Sequence, residues 1–135
     1  TPTLNNATTE VSDFMAQKSN YTLDRISTAM RTQFSRITLV NRTKTERLTI
    51  DLNLCWTNAR NSEQITIPAL VIVELKRDGN CPSPMLGIMN KLRVKPLKLS
   101  KYCIGTALTD TTIKRNRFKN KIRKIYKLTG DEHHA

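Results

Sequence analysis

Three runs decide the fold: Phe34-Ser35-Arg36-Ile37-Thr38-Leu39-Val40, Arg47-Leu48-Thr49-Ile50-Asp51-Leu52-Asn53-Leu54 and Ala69-Leu70-Val71-Ile72-Val73-Glu74-Leu75-Lys76. In the middle run Leu48, Ile50, Leu52 and Leu54 fall on one face, and Arg47, Thr49, Asp51 and Asn53 on the other. A period of two with one apolar side marks a half-buried strand. The first run follows the same rule, with Ile37 and Leu39 opposite Arg36 and Thr38. The third is apolar on both faces until Glu74 and Lys76, which point the same way. The first two runs are joined by Asn41-Arg42-Thr43-Lys44-Thr45-Glu46, a short polar connection that predicts an antiparallel hairpin.

Outward from these strands the chain reads as helices. Val11, Phe14, Met15 and Lys18 outline a short one, and Leu23, Ile26, Ala29 and Met30 form a stripe that predicts a second over 22–32, capped by Thr22. Residues 56–68 read as an irregular loop. Ser83-Pro84 opens a helix, with Met85, Leu86, Ile88, Met89 and Leu92 as its expected buried side. Arg93 to Lys98 is extended, broken by Pro96, and a small helical turn follows past Gly105. Asp110 or Thr111 is the expected cap of a last, strongly basic helix that ends at Gly130. Residues 1–10 and 129–135 read as flexible ends of a single domain. The fold class is α+β: an antiparallel sheet flanked by helices.

Lys and Arg number 23 against 11 acids, a net charge of +12. That excess favours a polyanionic partner, whether nucleic acid, an anionic membrane or a phosphate polymer. Aromatic residues make up only 5%, with no interleaved Phe/Tyr platform, which argues against base stacking and makes nucleic acid the weaker choice. Cys55, Cys81 and Cys103 are widely spaced and odd in number, the usage of a reducing, cytoplasmic compartment. No apolar run reaches the roughly 20 residues of a membrane span.

Most enzyme templates are missing. His133 and His134 are the only histidines and sit at the tail, and neither a P-loop nor a Gly-rich dinucleotide fingerprint occurs. Phosphoryl chemistry survives this filter, because positioning and charge neutralisation supply most of its catalysis. Arg36 and Arg47, on the polar face of one hairpin, present guanidinium forks that match phosphate oxygens; the alternative is two solvated strand arginines. Glu74, after the most apolar run, needs a cation: a metal, or an ion pair with Arg47 or Lys76. Asp51 would bind metal or support an arginine. Lys98 and Lys101 flank Ser100 where an extended stretch turns helical, a place where a phosphate can be held. The basic last helix would track a polyanion or simply be a solvated face.

Phe34-Ser35-Arg36, Glu46-Arg47-Leu48-Thr49-Ile50-Asp51-Leu52-Asn53, Val73-Glu74-Leu75-Lys76 and Lys98-Leu99-Ser100-Lys101-Tyr102 occur in this order. Together they resemble the vacuolar transporter chaperone (VTC) domain, and most closely the stand-alone bacterial polyphosphate polymerase domain proteins. The resemblance covers about Tyr21 to Leu128. It implies a triphosphate tunnel metalloenzyme: an antiparallel barrel whose basic tunnel carries the γ-phosphate of ATP onto inorganic polyphosphate with Mn2+ or Mg2+. It also implies roles: Arg36 and Arg47 grip phosphate, Glu74 binds the metal, and Lys98, Lys101 and Ser100 lie near the transferred phosphate. Lys76 is a weaker phosphate ligand. A triphosphatase of the same superfamily, or a non-catalytic polyanion-binding module, remains an alternative. Domains of this family are about twice as long, and three or four strands cannot close such a barrel. The chain therefore reads as a C-terminal half, completed by another chain or cut from a longer one and inactive alone.

Overall fold

A computed structural model describes residues 9–130. Its elements run α1 (Thr9–Lys18), a 3-10 turn (Leu23–Arg25), β1 (Met30–Val40), β2 (Glu46–Asn58), β3 (Gln64–Ile67), β4 (Ile72–Arg77), α2 (Pro84–Lys91), α3 (Lys101–Thr109) and α4 (Asn116–Thr129). His133, His134 and the lead-in over 1–8 lie outside the described residues. Helix reaches Thr9 and Glu10 at one end and Thr129 at the other.

β2 is the spine of the sheet. It pairs antiparallel with β1 along one side, and with β3 and then β4 along the other. β3 and β4 are successive segments of one path, interrupted over 68–71, where Pro68 has no N–H to offer the ladder. The expected third strand over 69–76 is thus shorter at its start: Leu70 donates its N–H to Ile67 in a turn and buries its side chain instead. The hairpin between β1 and β2 forms as expected. Its turn is held by the Asn41 side chain, which donates to Thr43 and Thr45 and accepts from the Glu46 N–H. The sheet is open and does not close into a barrel within the described residues.

A β-bulge divides β2 into two phases. Gln33 pairs with Cys55 and Ser35 with Leu52, so Asn53 and Leu54 together oppose Phe34. Asn53 takes a left-handed φ of 54°, a conformation that asparagine tolerates better than most residues. The consequence corrects the strict alternation read from the sequence. Leu54 leaves the face of Leu48, Ile50 and Leu52 and joins that of Thr49 and Asp51. One sheet surface therefore carries polar groups at one end (Arg36, Thr49, Asp51, Glu74) and the core at the other.

That core is Leu54, Trp56, Ile67, Leu70, Ile104 and Ile125, with Met30, Phe118, Ile122 and Tyr126 packed against it. α3 lies on this end of the sheet and α4 packs on α3. Trp56, expected at the start of a loop, is fully buried in β2. Its indole lies against Gly105 of α3, where an added Cβ would stand 2.7 Å from the ring Cγ. The helix expected over 22–32 is mostly absent, because Met30–Gln33 are drawn into pairing with Cys55–Asn58 and Met30 into the core. Tertiary pairing overrides the local stripe.

α2 starts as expected, Ser83 Oγ accepting the Leu86 N–H and Pro84 opening the first turn. Its expected buried side is not buried, since no residue of α2 is. Residues 92–100 contain no strand. Asp110 ends α3 and accepts hydrogen bonds from Thr112, so α4 begins only at Asn116. No helix of the described residues is long and apolar enough to cross a membrane.

Candidate functional site

The polar end of this surface is ordered in rows by the strand register. Arg36 opposes Asp51, which opposes Ile72; Thr38 opposes Thr49, which opposes Glu74; Val40 opposes Arg47, which opposes Lys76. Rows two residues apart stand about 6.7 Å from one another along the strands, so the first and third are about 13 Å apart. Arg36, Arg47, Glu74 and Lys76 thus share one face.

Asp51 anchors the first row and has no exposed surface. Arg36 donates to it in bidentate fashion, Nε to Oδ1 at 2.6 Å and Nη2 to Oδ2 at 2.9 Å. Lys101, brought over by the first turn of α3, places Nζ 2.7 Å from the same Oδ2. The ring of Phe34 completes the group, its centroid 4.9 Å from the Arg36 guanidinium carbon and 5.2 Å from Lys101 Nζ. Hydrogen bonding from Arg36, reinforced by Lys101, outweighs burial and holds the Asp51 carboxyl down at about 2. The Arg36 guanidinium is raised in turn, chiefly by its hydrogen bond to Asp51. Two cations share one carboxylate, so the cluster keeps a positive surplus. The Arg36 Nη1 hydrogens and the remaining Lys101 hydrogens are not spent on Asp51.

The middle row supplies oxygen. Glu74 is half-exposed and lies 3.3 Å from Lys76 Nζ, the ion pair that was one of its two expected fates. Thr49 beside it is buried, and its hydroxyl has no hydrogen-bond partner among the described residues. In the third row Arg47 is exposed and forms no ion pair among the described residues.

Ser100 caps α3: its Oγ accepts the Cys103 N–H at 3.3 Å, which sets the start of the helix turn that delivers Lys101. Lys98 is exposed in the segment before α3 and forms no ion pair among the described residues. Geometry therefore joins Lys101 to Arg36 and Glu74 to Lys76, whereas Lys98 stays outside the bonded cluster.

A family model, the VTC domain, matches residues 4–110, most of the chain. The chain belongs to the VTC domain family. No curated protein and no solved structure gave a match. The match ends before α4, which lies outside the matched residues.

Two features of the site lie beyond what the sequence pattern predicts. Asp51 supports Arg36, one of the two roles expected of it, whereas its bond to Lys101 spans 50 residues of chain that no local pattern connects. Phe34 stands in a motif of the resemblance, but nothing in the sequence shows that its ring lies against both Arg36 and Lys101. The donor set also bears on a metal. Asp51 is committed to two cations, and no group of three or more His, Cys, Asp or Glu that would hold an ion exists among the described residues. Glu74 alone does not make a resident cage. A single carboxylate suffices only for an ion that brings most of its other ligands with it.

Proposed function

We propose that this VTC domain provides one wall of a polyphosphate polymerase site, where the γ-phosphoryl group of ATP passes to the end of an inorganic polyphosphate chain. The bond from the γ-phosphorus to the ADP oxygen breaks, and one to a terminal phosphate oxygen forms. The products are ADP and a polymer longer by one unit. The accepting oxygen is already ionised near neutral pH, so no protein base is needed and charge neutralisation carries the catalysis. Arg36 and Lys101, held by Asp51, neutralise the transferred phosphoryl group. Arg47 and Lys76 hold phosphates about 13 Å along the strands. Lys98 and Ser100, beside Lys101, complete the phosphate contacts from the α3 side. Glu74 would be the protein ligand of Mn2+ or Mg2+, which when bound supplies further neutralisation of the phosphate oxygens.

Family membership supports this reading, and one observation carries it: Arg36, Arg47, Glu74 and Lys76 lie on a single sheet face that Lys101 overhangs. The side of β1 that has no strand partner among the described residues, and the open sheet, suit completion by further strands, as a tunnel requires.

Titration calorimetry with tripolyphosphate, with and without Mn2+, tests it. Arg47→Ala and Lys76→Ala, both exposed, are expected to weaken binding about 10-fold each, the worth of a charge-assisted hydrogen bond. Glu74→Gln is expected to remove any gain from Mn2+. Unchanged binding in all three variants would reject the site.

A further inference from the structure

We infer that α4 is a docking rail for a linear polyphosphate strand, a second site outside the sheet face that engages only polymer long enough to reach it. The inference rests on the polyphosphate reading above for the identity of its ligand. Arg117, Lys119, Lys121, Arg123, Lys124 and Lys127 lie on this 14-residue helix, with Lys114 and Arg115 just before it and no acid within it. None of these cations forms an ion pair among the described residues.

Three features argue for a polyanion and select its class. The cations stand in like-charge neighbour positions: Arg117 with Lys121, Lys119 with Arg123, and Arg123 with Lys127, each four residues apart. Such pairs destabilise a helix, and an anionic strand laid along them relieves the repulsion. The apolar stripe is already spent, because Ile125 is buried and Phe118, Ile122 and Tyr126 pack against the core. The helix has no such stripe left to sink into a bilayer. The same packing turns both aromatics of α4 inward, leaving no platform on which bases could stack. What remains is dense, featureless positive charge, suited to a polymer whose only recognisable property is its repeating negative charge. α4 packs on α3, the helix that brings Lys101 to the site, so the rail adjoins the element that carries part of the proposed phosphate path.

The test compares the full chain with a quadruple variant, Arg117→Gln, Lys119→Gln, Arg123→Gln and Lys124→Gln, all exposed positions where Gln preserves helix propensity. Affinities for tripolyphosphate and for long polyphosphate are measured across a salt series. Long-chain affinity is expected to fall at least 10-fold in the variant, tripolyphosphate affinity to stay within about twofold, and the log–log salt slope to shrink by about 3. Unchanged long-chain affinity would overturn the rail. So would tighter binding by the parent chain of single-stranded RNA of matched charge, or of phosphatidylserine vesicles, than of polyphosphate. Arg47→Ala serves as the separate control for the sheet site: loss of tripolyphosphate binding there, with the rail intact, leaves the variant-dependent drop in long-chain affinity in place. If tripolyphosphate does not bind the parent chain at all, the sheet-site reading fails while the long-chain comparison still decides the rail.

Discussion

Arg36 and Lys101 come from different elements yet bond the same carboxylate, so Asp51 is both an electrostatic anchor and a tie between β1 and α3. The sign of its pH dependence follows from the direction of its shift. The folded value of about 2 lies below the ordinary 3.8, so the pair stabilises the fold fully above the ordinary carboxylate range and is lost as pH falls from about 4 through 2. A shift of this size corresponds to about 2 kcal/mol. Asp51→Asn is expected to lower stability near neutral pH by about 1–3 kcal/mol, since it leaves two adjacent cations without their counter-charge. It should also flatten the decline in stability between pH 4 and 2, measured by urea unfolding across that range. An acid decline as steep as in the parent would assign that stability to other carboxylates.

At the scale of elements, the site depends on how closely α3 can approach β2. Gly105 sets that approach, because the Trp56 indole occupies the space a Cβ would need. Gly105→Ala is expected to cost about 1–3 kcal/mol despite alanine's better helix propensity, and to shift α3 enough to loosen the Lys101–Asp51 bond. A rise in the thermal midpoint would contradict this packing. Such close approaches bear on what could be read in advance. The β1–β2 hairpin was legible because Leu48, Ile50 and Leu52 alternate and a polar turn joins the runs. The helix cap at Ser83-Pro84 was legible because capping is local. The expected helix over 22–32 failed because the partner that recruits Met30 lies in β2, nearly 30 residues away. Arg36, Arg47, Glu74 and Lys76 could be placed on one face from periodicity alone. The triad around Asp51 could not, since Lys101 reaches it only through the packing of α3.

The whole molecule is unevenly covered. The sheet face opposite the site exposes Ile37, Leu39 and Val73 at 48%, 50% and 43%, and α1 and α2 bury no residue. Apolar surface of this kind is available for contact, while a net charge of +12 opposes association between copies of the chain. Ile37→Thr with Val73→Thr is expected to leave the thermal midpoint within a few degrees while reducing both apolar-dye binding and light scattering at high salt. Equal dye binding by parent and variant would show that the face is already covered. The extra residue at Asn53 has the widest reach of any single feature. Shortening β2 there by one residue would turn Arg47, Thr49 and Asp51 away from α3 if Leu54 and Trp56 kept their places, or send Trp56 into solvent if those three kept theirs. Interior and charged groups can share one side of this sheet only because the strand changes step between them.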